Sequence, residues 1–196
     1  MANEQTEYEN ESFSGITYDA TNPLKYLVFL DCKFLNCTFL EADLSGTTFR
    51  DCSFNGCALG PANVRGASFE GVDFVDCRVI GINWPEAQWS KTASFALNFT
   101  RCRLGYFSLS NIPLRKISML DCKADEIDFS GANLTEAVFT DTEFSGCRFN
   151  DTDLSKADLR GAVGYVIHPG RNLVKGLKVS MPDAMGLLAG MGVEIS

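Results

Sequence analysis

Residues 27–59 read LVFLDCKFLNCTFLEADLSGTTFRDCSFNGCAL, and every fifth residue from Phe29 through Phe34, Phe39, Leu44, Phe49 and Phe54 to Leu59 is bulky and apolar. Extended both ways, the same step lands on 28 positions between Leu24 and Leu159, of which only Ser94 and Ala124 are not bulky and apolar. Twelve of the fifteen phenylalanines fall on this register. Two residues ahead of each such centre lies a second restricted position, mostly small. It holds all eight cysteines (Cys32, Cys37, Cys52, Cys57, Cys77, Cys102, Cys122 and Cys147), along with Ala42, Thr47, Ala62, Ala67, Ala132, Ala137, Thr142, Thr152 and Ala157. The other three positions of each five carry nearly all the charge and most of the Gly, Asn and Ser, so they face outward.

A period of five suits neither regular element. On an α-helix it advances about 500°, leaving the next centre about 140° away, and on a flat strand an odd period alternates faces. The chain must therefore bend once per repeat, in short extended segments joined by tight turns with Gly, Asn, Asp and Ser at the corners. That is a solenoid.

The tandem repeats ADLSG (42–46), ANVRG (62–66), GANLTEA (131–137) and KADLRGA (156–162) resemble those of the pentapeptide-repeat proteins over roughly residues 24–162. The resemblance implies an all-β solenoid, a right-handed quadrilateral β-helix with four pentapeptides per coil. About seven coils would make a rod roughly 34 Å long at about 4.8 Å per layer. Residues 1–22 are expected to form an N-terminal partial coil, 23–162 the repeat helix and 163–196 a C-terminal cap and dimerisation helix. Tyr8, Phe13 and Tyr18 are five apart but one residue out of phase with Leu24. In the tail, Ser180, Pro182 and Asp183 read as a helix start, with an apolar helix over Met181–Ala189.

Coils of twenty residues would stack Phe29, Phe49, Phe69, Trp89, Leu109, Phe129 and Phe149 in one column, stack Cys37, Cys57 and Cys77, and pair Cys32 with Cys52 and Cys102 with Cys122. Parallel Cβ vectors one layer apart exceed the usual disulfide limit of about 4.5 Å, so free buried thiols are expected. The restricted position is large at Ile82, Leu97, Phe107, Ile112, Ile117 and Ile127, while Ser94 and Ala124 shrink the centre; this reads as repacking that keeps the core filled, with a bent partner surface around 82–127 as the alternative. Outward Val75 with Phe95, and Leu40, Ile80 and Leu120, are expected to form modest apolar strips.

Little points to chemistry. The only histidine, His168, lies outside the array, no CxxC motif occurs, and a nucleophilic cysteine would lack a base. Neither metal nor cofactor is implied, and no enzyme activity is expected. GLLAGMG (186–192) has no preceding strand in a phosphate-binding arrangement. The N-terminus lacks a basic and an apolar signal region, and no apolar run approaches about 20 residues, which points to a cytoplasmic protein without membrane contact.

Within the family, the length, the GINW…AQW stretch (81–89) and the tail MPDA…LLAGMGV (181–193) are most similar to the group that protects DNA gyrase and topoisomerase IV from poisons, comprising Qnr-type quinolone-resistance proteins and albicidin and microcin self-protection proteins. The resemblance implies a non-enzymatic protein that binds gyrase or topoisomerase IV as an acidic DNA-like rod and relieves poisoning. It also implies a homodimer joined through the C-terminus, with Met181, Met185, Leu187, Leu188 and Met191 as the dimerisation residues. Glu41, Asp121, Asp125, Glu126, Asp128, Asp141 and Glu143 form the expected partner patch, with Asp121 and Asp141 assigned to the column of Glu41. The register runs without an inserted loop, unlike many quinolone-protecting members, so a peptide or natural-product poison is at least as good a target. The alternative function is an interaction scaffold without a topoisomerase role.

The net charge of −8 argues against direct nucleic-acid binding. Residues 1–20 contribute −5, residues 21–160 contribute −4 and the tail +1. Duplex DNA as long as the rod carries about 20 charges. Imitation of DNA would therefore rest on shape and local acidic columns rather than on total charge.

Overall fold

The computed structural model describes residues 6–89, 97–181 and 183–193. The fold is a parallel β-solenoid of about eight turns, closed at its C-terminal end by one short helix, α1 (Met185–Gly190). The sides are parallel sheets of two- to six-residue strands. A four-stranded sheet begins with Glu7–Glu9, and two six-stranded sheets are built on Ser12–Ser14 and Thr38–Phe39. Bridges such as Asp43↔Asn63 and Asp128↔Arg148 hold the fourth side.

The centres of the register point inward and stack. Phe29 lies on Phe49 at 5.2 Å between ring centroids and Phe34 on Phe54 at 4.7 Å, with the rings within 11° of parallel. Around each layer, neighbouring rings meet edge to face, the geometry aromatic quadrupoles favour. Corners fall every fifth residue in the left-handed region, as at Asp31 (φ 52°), Asn36 (φ 51°), Asp51 (φ 53°) and Gly56 (φ 63°). Asn, Asp and Gly enter that region most cheaply, and this fixes the polar fifth of the repeat.

Three coils depart from the expected sequence of layers. In the first, Tyr8 pairs with Phe29 and Phe13 with Phe34, so that coil holds 21 residues. The extra residue is absorbed at Asp19, whose Oδ1 accepts the N–H groups of Thr21 (2.7 Å) and Asn22 (3.2 Å), a side-chain-mimicked turn. In the fourth, Phe74 pairs with Phe99, 25 residues on. The Gln88 N–H still bonds Ala67 O at 2.7 Å, in step with twenty, so the five additional residues lie between Trp89 and Leu97. An insertion of one whole repeat leaves the five-residue register unbroken, which is why the sequence reading saw no loop. After residue 162 the coil goes on without a clean repeat: Asp158 pairs with Lys178 and Leu159 with Val179. The pairing of residues 7–17 and 163–179 raises the count from seven coils to about eight.

The 25-residue coil re-sorts every column above it. The expected column splits: Trp89 stays above Phe69, whereas Leu109, Phe129 and Phe149 stack on the fourth side, with Phe129 and Phe149 at 5.0 Å and 8°. The cysteine columns join. Cys37, Cys57 and Cys77 continue directly into Cys102 and Cys122, each backbone N–H donating to the next sulfur at 3.3–3.4 Å. Leu40 and Ile80 share a column, but Leu120 pairs with Thr100 above Val75, so the apolar strips regroup; Phe95 and Ser94 lie outside the described residues. Where Phe107 and Ile127 replace small residues, the corners at Tyr106 (φ 57°) and Glu126 (φ 52°) are still turned in the left-handed region, and strand pairing continues across them in the six-residue strands Arg103–Ser108 and Lys123–Asp128. Gly105 makes that close stacking possible: a Cβ there would stand 2.3 Å from the backbone oxygen of Asp125.

The helix start also differs. The Ser180 hydroxyl accepts the Gly161 N–H at 2.7 Å, tying the last strand to the coil below instead of capping a helix. The helix therefore begins only after Ala184; Pro182 lies outside the described residues.

Candidate functional site: an acidic side and an apolar end

The third side of the solenoid, in its upper half, gathers most of the expected partner patch. Lys123–Asp128 carries Asp125, Glu126 and Asp128, and the neighbouring Glu143–Ser145 carries Glu143. Asp121 and Asp141 occupy the adjoining corner, both with positive φ. They stand above Asp76 and Arg101, as the bonds Asp76 N–H to Thr100 O, Arg101 N–H to Leu120 O and Asp121 N–H to Thr140 O show. Glu41 is not in this column. Its own column runs through Pro61 and Gly81 to the level of Tyr106, and it is Glu126, four layers up and about 19 Å away, that completes it. The five inserted residues shift the upper columns by one side and separate Glu41 from the rest.

Glycines support this acidic side. The Glu126 carboxylate packs over Gly146 and that of Asp141 over Gly161, where a Cβ would come within 2.4 Å and 2.1 Å of carboxylate oxygens. The side is partly neutralised. Arg101 binds Asp76 through both ends of its fork (2.7 and 2.9 Å) and lowers that carboxyl's pKa, while Lys123 pairs with Glu143 at 3.3 Å and Arg103 approaches Asp125 at 4.0 Å. Among the described residues no ion pair engages Asp121, Glu126, Asp128 or Asp141; Asp121 and Asp141 form an acidic ridge at one corner directly above Arg101, separated from Glu126 and Asp128 by the strip of Arg103 and Lys123.

The C-terminal end is apolar. Met181 is 87% exposed, Met191 57%, Met185 46% and Leu188 41%, whereas Leu187 turns inward against the core. The sequence reading missed Val163, Val166, Leu173 and Val193, which are also exposed at this end and lie beyond the clean repeats. The glycines of GLLAG make α1 dock tightly: a Cβ on Gly186 would meet Tyr165 O at 2.4 Å, and one on Gly190 would meet Ile167 O at 2.2 Å. The Tyr165 hydroxyl donates to Asp183 O at 2.6 Å. Between α1 and Val163–Val166 lies an apolar groove of about 540 Å³, lined also by Met185, Ala189 and Val193.

The eight thiols are free. Burial pushes those of Cys52 and Cys147 up to about 11 and also raises Cys32 and Cys37, which disfavours the thiolate needed for nucleophilic or metal chemistry. Among the described residues no group of three or more His, Cys, Asp or Glu is placed to hold a metal ion, and no helix is long and apolar enough to cross a membrane.

Comparison with known proteins agrees with this architecture. Two family models match, a pentapeptide repeat region over residues 27–98 and pentapeptide repeats in eight copies over residues 122–163, together more than half of the chain. No curated protein matches by sequence. Among solved structures, a trypsin-treated form of QnrB1, described as a plasmid-mediated fluoroquinolone resistance protein, superposes with a TM-score of 0.79 at 17% identity, covering 98% of this chain and 99% of that one. A second trypsin-treated form gives 0.63 at 21% identity over 97% and 100%. With five-residue repeats stacked into a four-sided coil and two family models matching along it, the chain belongs to the pentapeptide-repeat family.

Proposed function

We propose that this protein is a non-enzymatic, cytoplasmic topoisomerase-protection factor that binds DNA gyrase or topoisomerase IV where duplex DNA otherwise lies and so relieves poisoning. The observation that carries the reading is the end-to-end match of the rod to QnrB1, helix-capped end included, over 98% of this chain and 99% of that one. The acidic ridge supports it. Asp121 and Asp141 stack one layer of about 4.8 Å apart at one corner, and Glu126 and Asp128 follow Asp121 along the same turn, so four carboxylates without ion-pair partners gather on two neighbouring turns. In this reading the apolar end joins two copies through Met181, Met185, Leu188 and Met191, giving a rod of roughly 75 Å from two stacks of eight layers.

The five residues inserted between Trp89 and Leu97 remove one reason for setting quinolones aside, since this chain does extend one coil. Binding is tested by competition. Fluorescently labelled duplex DNA bound to gyrase should be displaced by the protein, and less so by D121K/D141K, in which the ridge is reversed. Absence of displacement by the parent protein, on both gyrase and topoisomerase IV, would leave an interaction scaffold as the correct reading.

A further inference from the structure

We propose that the recess beneath α1 is a binding site for a small multivalent oxyanion of the phosphate or diphosphate class, held by Arg148, Arg171 and His168. In this acidic chain Arg50, Arg101, Arg103, Arg115 and Arg160 each reach a carboxylate, while Arg65 and Arg78 stand without an ion pair among the described residues. Arg148 and Arg171 reach none among the described residues, yet both line one recess of about 280 Å³ that contains no carboxylate. Asp128 and Asp151 adjoin them along the stack, through the Asp128↔Arg148 bridge and the Asp151 N–H to Arg171 O bond of 2.9 Å, but neither forms an ion pair with them. Two arginines without an ion pair lining one recess, in a protein of net charge −8, form a local cationic site that an anion would complete.

The site is held from behind. Asn172, 8% exposed, accepts the Thr152 N–H (2.9 Å) and donates to Phe149 O and to His168 O (both 3.0 Å), and the Arg171 N–H bonds His168 O at 3.0 Å. This clamps the 168–172 turn onto the coil that carries Arg148. The His168 Nδ1 accepts the Gly170 N–H at 3.0 Å, so the neutral ring keeps its proton on Nε2 as a further donor. Phe149, Val166 and Gly190 give the recess apolar walls, where charge-assisted bonds are less screened. Guanidinium forks match the oxygens of a phosphate, and a recess of about 280 Å³ has room for a diphosphate. The inference does not depend on the topoisomerase reading.

His168 is the only histidine, so its ring signals in an NMR spectrum report on the recess alone. Inorganic pyrophosphate, titrated at constant ionic strength against chloride, should shift the His168 Cε1–H resonance saturably. R148Q/R171Q should weaken that binding about tenfold or more, as loss of charge-assisted bonds predicts. R148K, which keeps the charge but loses the fork, should fall between. A shift that never saturates, or one that saturates equally in a folded R148Q/R171Q protein, would overturn the proposal.

Discussion

Each inward small position must satisfy its own buried backbone, and this explains the cysteines. The Cys77 sulfur accepts the Cys57 N–H at 3.3 Å and donates to Phe54 O at 3.2 Å, so one small side chain closes two backbone groups at a corner. Thr142 does the same, accepting from Cys122 N–H and donating to Met119 O. Cys, Thr and Ala share the position in sequence because space admits all three, and the first two also bond. C77A should therefore lower stability by about 1–2 kcal/mol in urea unfolding, the sum of a small cavity and two unmet backbone groups, and C77S should lose less. Equal stability of C77A and the parent would refute the role given to the thiol. The five-residue code was legible because each inward residue obeys it locally. The partners of each residue were not, because they depend on how many repeats make a coil.

At the scale of the element, that ambiguity has one source. A whole inserted pentapeptide preserves phase, so the joining of Cys77 to Cys102 and the separation of Glu41 from Asp121 and Asp141 leave no trace in the five-residue register, whereas the single extra residue near Asp19 shows as the phase slip at Tyr8, Phe13 and Tyr18. Deleting five residues between Trp89 and Leu97 should restore a twenty-residue coil and leave a folded protein. Deleting four should turn later centres outward and lower the melting temperature sharply; similar melts for the two deletions would contradict the register. The last coil carries a pH dependence. Arg160 donates to Asp158 (Nε to Oδ1 2.9 Å, Nη2 to Oδ2 2.7 Å) and holds that carboxyl below its ordinary value. A carboxyl depressed in the folded state contributes stability above its unfolded pKa, and that contribution fades as pH falls through the folded value. Thermal melts from pH 6 to pH 3 should therefore fall less for D158N than for the parent, and parallel falls would remove this ion pair from the account.

For the whole molecule, the features gather at opposite ends. The N-terminal coil bears Glu7, Glu9 and Glu11, and the helix-capped end exposes methionines and valines. Aligned strand edges invite pairing, and charge on an edge discourages it. Association is therefore expected at the C-terminal end. Light scattering should give about twice the 21.5 kDa chain mass, and M185E/L188E should return it to one; a parent that stays monomeric at micromolar concentration would refute the dimer. The apolar tail helix was legible in the sequence. Its late start was not, because the Ser180 hydroxyl is engaged by Gly161, a partner 19 residues away. The central claim is protection, and a supercoiling and cleavage assay of gyrase and topoisomerase IV tests it most directly, with ciprofloxacin, albicidin or a microcin-type poison and increasing amounts of this protein. The account predicts recovered supercoiling and fewer trapped cleavage complexes with at least one poison, weakened in D121K/D141K; no recovery with any poison on either enzyme would contradict it.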